Sequence, residues 1–169
     1  NYLDDTISVN VLDGSHIIIN KTFISDISVS EYGPIQIWDT TGINNMPSGI
    51  ILKKGESSLI TSGGKDSVDI YYSSNEFVIT TPTINIDNRI TSFFVGLSSN
   101  LDDSVESPTV LDTWVTSVQN SETNYFFLFD SDSHYSKMII TERDTSSSGS
   151  PAWIKIKWLY NNKPNDRRF

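Results

Sequence analysis

An all-β chain folded as an antiparallel, jelly-roll-like β-sandwich is what this sequence predicts, on three observations. Apolar and polar residues alternate with period two in segment after segment, whereas the 3.6-residue helical period is hard to find. Turn residues (Gly, Pro, Asn, Asp, Ser) interrupt those segments at regular intervals. Hydrophobic residues make up 37% and aromatics 11% of 169 residues, enough for the core of a single domain.

The elements follow in order. Residues 6–12 alternate with Ile7, Val9 and Val11 on one side, and Asp13-Gly14 is a hairpin signal before 16–23, so 6–23 reads as a hairpin. Residues 24–32 alternate again. In 33–42, Ile35 and Ile37 share one face, with Gln36 and Trp38 on the other. Residues 47–74 read as strand, a Lys53–Glu56 turn, strand, a turn at 62–67, strand. Residues 76–86 hold one or two strands, broken by Pro82, and 89–97 hold another. Residues 98–109 are acidic, polar and Pro-containing, and read as a long loop. Residues 110–118 fit a strand or a short helical turn. The last third, 124–129, 134–142 and 153–160, reads as a three-stranded meander. The total is roughly ten to twelve strands, as in sandwiches and barrels.

Charge narrows the partners. Twelve basic against 21 acidic residues give a net charge of −9. Nucleic acid needs a basic face and is not expected, and an anionic membrane surface is disfavoured. A neutral glycan or a cation such as calcium is compatible. No apolar run has the length of a transmembrane segment. The absence of cysteine rules out disulfides and thiolate chemistry. The chain begins without Met, which reads as a mature form or an excised module.

The segment 151–164, PAWIKIKWLYNNKP, carries the most specific functional signal. On a strand, Ile154, Ile156, Trp158 and Tyr160 share an apolar face that points to the core. Trp153, Lys155, Lys157 and Leu159 share the other. Trp153 thus falls among lysines on the solvent side, beside a Ser/Gly-rich loop. An indole set there is a platform for a sugar ring, whose C–H face stacks on aromatic planes while amides and carboxylates bond its hydroxyls. Trp38 with Gln36 and Asp39 has the same character, and one ring of the pair Tyr71-Tyr72 is expected outside. The expected ligand contacts are Trp153, Trp38, Tyr72, Lys155, Asp39 and Gln36. The competing reading of every one of these aromatics is burial.

Catalysis has little support. There are two histidines, His16 and His134, and neither 61–65 nor 147–151 is a phosphate loop. Adjacent acids in loops are usually solvated, so no enzyme is expected. Calcium is the candidate cofactor, because hard oxygen donors recur at short spacing: Asp130 and Asp132 in one turn, Asp102 and Asp103 with Glu106 in another. Neither follows the EF-hand pattern.

The C-terminal quarter also resembles a known family. Tyr125 leads an apolar strand, Asp130–Asp132 form an acidic turn, and Tyr135, Lys137 and Met138 open the next strand. The last strand carries Trp158 and Tyr160 and closes with Asp166, Arg168 and Phe169. This arrangement is similar to the C-terminal meander of HmuY-like lipoproteins of Bacteroidetes, all-β surface proteins of which some bind haem. The rest of the chain lacks the family's Trp-Asp-apolar strand and Gly-rich segment in alignable form. The haem-binding histidine pair finds no matching positions, so the resemblance implies a surface-exposed β protein and assigns no ligand residues.

The expectation is therefore a non-catalytic binding module, extracellular or on a bacterial or phage surface, taking a carbohydrate through exposed aromatics. The alternatives are a virion, fibre or surface-assembly subunit, in which the same aromatics meet a second copy of the chain, and a haem or small-ligand carrier.

Overall fold

A computed structural model describes residues 28–40, 45–60, 67–73, 76–79, 89–109, 112–119, 124–145 and 150–169. The expected hairpin over 6–23, His16, the tip of the turn at 62–67 and Pro82 lie outside the described residues. Within them the chain is all-β, with ten strands and one short 3-10 turn. The strands are β1 (Val29–Trp38), β2 (Gly49–Ile51), β3 (Glu56–Ser58), β4 (Ile70–Ser73), β5 (Glu76–Ile79), β6 (Ser92–Val95), β7 (Ser117–Gln119), β8 (Tyr125–Phe129), β9 (Tyr135–Asp144) and β10 (Trp153–Asn161).

They form two five-stranded sheets, one in the order β1-β10-β9-β8-β6 and the other β3-β2-β4-β5-β7. All recorded pairings are antiparallel. Strands β5 to β8 alternate between the sheets, as jelly-roll winding does, while β8, β9 and β10 stay together as the expected meander. Of residues 110–118, positions 110 and 111 lie outside the described residues, Val115 forms an isolated bridge to Phe93, and β7 begins at Ser117.

The core between the sheets follows from the alternation. Ile37, Ile154, Ile156, Trp158, Tyr160, Phe126, Leu128, Met138 and Ile140 come from the first sheet, and Ile50, Ile70, Tyr72 and Val118 from the second. Trp158 is fully buried, and its indole N–H donates to the Leu52 carbonyl at 3.1 Å, which ties the sheets together without leaving a buried donor unpaired. Tyr32 packs on Trp158 with ring centroids 5.5 Å apart, and its hydroxyl donates to the Lys53 carbonyl.

Two irregularities in the first sheet decide which residues face outward. The sequence reads 24–32 and 33–42 as separate segments. The described part is one strand, β1, whose register shifts between Tyr32 and Ile35 at a bulge. Gly33 makes this bend, with φ +92°, and a Cβ there would meet the Ile156 carbonyl oxygen at 2.5 Å. The bulge lets Tyr32 and Ile35, an odd number apart, both face the core. A second bulge in β9 falls opposite Lys155 and Ile156, so Thr141 has no partner in the ladder. Met138 and Ile140 face the core, but beyond Thr141 it is Glu142 and Asp144 that pair with the outward residues Lys155 and Trp153.

Candidate functional site

The outer face of the first sheet is divided in two. Over β6, β8 and the start of β9 it is apolar and covered. Tyr125, Phe127, Phe94, Ile139 and Leu159 pack there with Leu101, Trp114 and Phe169, so the segment after β6 and the C-terminal residues lie on this half. Trp114 sits 5.8 Å from Phe94, 6.4 Å from Phe129 and 6.2 Å from Tyr135, and its indole N–H donates to the Thr109 carbonyl at 2.8 Å. Arg167 and Ser107 exchange backbone and side-chain hydrogen bonds, which lace the C-terminal residues to the covering segment.

The other half lies over the ends of β1, β10 and β9, and here the sequence-predicted residues meet. Trp38 of β1 is the direct cross-strand partner of Trp153 of β10, and Asp144 of β9 is the partner on the other side. Direct partners share a sheet face with Cβ atoms about 5 Å apart, so the two indoles are neighbours although 114 residues separate them in the chain (153 − 38 − 1). One step along, Gln36, Lys155 and Glu142 form the next row. Lys155 Nζ lies 5.5 Å from the centroid of the Trp153 ring and 2.7 Å from a Glu142 carboxylate oxygen. Both tryptophans are partly exposed. Further along β10, Lys157 pairs with Glu31. Four of the expected contacts, Trp153, Trp38, Lys155 and Gln36, thus form one surface, together with Glu142 and Asp144.

Two expected contacts are not on it. Tyr72 is 1% exposed and belongs to the core; both rings of Tyr71-Tyr72 are buried, because both faces of β4 are covered. Asp39 follows Trp38 on the opposite side of the chain and is buried where its N–H donates to the Ala152 carbonyl.

The acidic turns are also built differently from a calcium site. Asp130 is buried and accepts hydrogen bonds from the N–H groups of Asp132 and His134 and from the Tyr160 hydroxyl. Burial raises its pKa, partly opposed by these donors. His134 stacks on Tyr160 at 5.1 Å, with Nδ1 2.8 Å from the Asn161 carbonyl. Asp132 is held by Arg89, which also clamps buried Asp69; Arg89 sets the Asp132 carboxyl below its ordinary range. In the other turn Asp103 accepts from Lys137 Nζ at 2.7 Å and from the Tyr125 hydroxyl at 2.8 Å. Burial opposes its charge, but the donors prevail and lower its pKa to about 2. Asp102 remains exposed beside it. Asp130, Asp132 and Asp103 are thus engaged by hydroxyls, amides and cations, and among the described residues no group of three or more His, Asp or Glu side chains is arranged to hold a metal ion.

Lys137 is 1% exposed, beneath the Phe169 ring at 5.2 Å. Above it Leu101, Asp102, Ser104, Leu159 and Phe169 complete the lining of an open cavity of about 230 Å³. Sequence reasoning placed Leu159 outward with Trp153 but missed this cavity, since its parts come from a loop, two strands and the C-terminal residues. Among the described residues no helix is long and apolar enough to cross a membrane. No family model, curated protein or solved structure matches the chain.

Proposed function

We propose that this chain is a non-catalytic carbohydrate-binding module of a surface or secreted protein, and that its ligand lies on the Trp38–Trp153 pair. The observation that carries this reading is the direct cross-strand apposition of two partly exposed indoles. They are bordered on two sides by Gln36, Lys155, Glu142 and Asp144, which supply amide, ammonium and carboxylate partners for hydroxyl groups. A flat apolar strip with polar edges suits a sugar ring, which has C–H faces and an equatorial rim of hydroxyls. The mixed charge of the rim favours a neutral ligand over an anionic one. Lys155 is already neutralised by Glu142 at 2.7 Å, and the chain as a whole is acidic.

Binding isotherms against a panel of soluble neutral glycans test this. At least one should bind saturably, and Trp153→Ala and Trp38→Ala should each weaken it by about tenfold or more, the loss of roughly 1.4 kcal/mol. If both variants bind as the parent does, the platform reading is wrong. EDTA should leave the isotherm unchanged.

A second reading, a subunit of a surface or virion assembly, draws on the covering segment. Leu97 there is fully exposed, and Val105 and Val115 are exposed as well. A stable oligomer in solution that dissociates on Leu97→Asp would favour it.

A further inference from the structure

Leu159 is the last partly exposed outward residue of the row that begins at Trp153, and it lines the cavity floored by Lys137. The outward row Trp153, Lys155, Lys157, Leu159 is therefore one strip, about 20 Å long for the six steps from Trp153 to Leu159 at roughly 3.3 Å each. It is flanked by β1 on one side and β9 on the other. At the tryptophan end it meets no covering segment among the described residues. At the other end Leu101, Asp102, Ser104 and Phe169 bound it.

From this we infer that the strip takes a linear glycan of several units lengthwise and that the cavity holds its terminal unit. The inference rests on the carbohydrate reading above and adds a second subsite, a direction and a stop. The cavity suits one ring. At about 230 Å³ it lies below the roughly 300–1,000 Å³ of pockets for larger ligands. Its lining divides into an apolar part, Leu101, Leu159 and Phe169, and a polar part, Asp102, Ser104 and Lys137. A pyranose divides in the same way. The Lys137 ammonium is held by Asp103 at 2.7 Å, so the floor does not call for an anion. The exposed acid Asp102 at the rim disfavours one and is an acceptor for hydroxyl protons.

The test uses the intact chain and neutral β-1,4- and α-1,4-linked gluco-oligosaccharides and β-1,4-xylo-oligosaccharides of two to six units, by calorimetry. Affinity for the series that binds should rise with length until the strip is filled. A bulky fluorophore should abolish binding when attached at one end of the glycan and be tolerated at the other. Asp102→Trp, which fills the cavity from an exposed position, should weaken the long glycans by about tenfold, a modest share of the affinity one sugar ring can contribute. It should leave the two-unit glycan unaffected. Affinity independent of length, or equal tolerance of a label at both ends, overturns the inference while leaving the tryptophan platform standing. These two readouts need no variant, so a poorly folded Asp102→Trp does not blunt the test. If no member of any series binds, the platform reading fails and the inference with it.

Discussion

Replacing Lys137 by methionine keeps most of the length of the side chain and removes its charge from beneath the covering segment. The ammonium is 1% exposed and the Asp103 carboxylate 13% exposed, 2.7 Å apart. At an effective dielectric near 20, two charges at that distance attract by about 6 kcal/mol. Much of this offsets the desolvation of both groups. The two halves of the pair differ in what remains when one is removed. Without Lys137, Asp103 still has the Tyr125 hydroxyl at 2.8 Å and the Val105 N–H at 3.0 Å, and it reaches solvent. Lys137→Met should cost about 2 kcal/mol. Without Asp103, a buried ammonium is left against the Phe169 ring at 5.2 Å, a contact worth only about 1–2 kcal/mol. Asp103→Ala should therefore cost more, about 3–5 kcal/mol. The double variant should fall short of the sum by about 2 kcal/mol or more, since the second substitution removes a charge already left alone. Equilibrium urea unfolding of the four proteins measures all of this. Equal costs for the two single variants, or additivity within about 0.5 kcal/mol, would refute the argument that this pair fastens the covering segment to the sheet.

Three further outcomes follow from the same geometry. Asp130→Asn should lie within about 1 kcal/mol of the parent, because burial already penalises the charge and an amide oxygen still accepts the two N–H groups. Asp130→Ala should cost about 3 kcal/mol by stranding those donors and the Tyr160 hydroxyl, and urea unfolding separates the two. Gly33→Ala should lower stability by at least about 2 kcal/mol, since it combines φ +92° with a Cβ 2.5 Å from the Ile156 carbonyl oxygen; a melting curve matching the parent's would contradict it. Asp103 has a depressed pKa, so its ionisation stabilises the fold above the ordinary carboxylate range, and that contribution is lost as pH falls from about 4 through about 2. The stability gap between the parent and Asp103→Asn should close over that window in acid unfolding curves, and a gap independent of pH would remove the assignment.

The strands and their faces were legible wherever alternation was strict. Trp153 and Trp158 fall on opposite faces as the parity of 153–160 requires, and Gln36 and Trp38 fall outward as the parity of 35–38 requires. The pairing of Trp38 with Trp153 was not legible, because register between strands more than a hundred residues apart is set by tertiary packing and leaves no local mark. Parity also fails across a bulge. Extrapolated from Met138 and Ile140, it sends Glu142 and Asp144 into the core; the extra residue Thr141 turns them out to the site. Tyr72 misled because outward and inward rings are indistinguishable in a strand covered on both faces. The Asp130 turn looked like a metal loop because its real partner, the Tyr160 hydroxyl, lies on another strand. The HmuY-like resemblance falls on residues with structural work in this fold: Lys137 under Phe169, Trp158 in the core, and Asp166 clamping Arg168 at 2.6 Å.

The four tryptophans offer the most direct test of the central claim. Two indole N–H groups are engaged inside the protein, Trp158 on the Leu52 carbonyl and Trp114 on the Thr109 carbonyl, and two indoles form the outer pair. Four indole N–H resonances can be followed while a neutral oligosaccharide that binds the chain is added. The signals of Trp38 and Trp153 should move together and saturate at one ligand concentration, while those of Trp158 and Trp114 stay in place. Saturable binding that leaves the Trp38 and Trp153 signals unmoved would contradict the account and put the ligand elsewhere on the molecule.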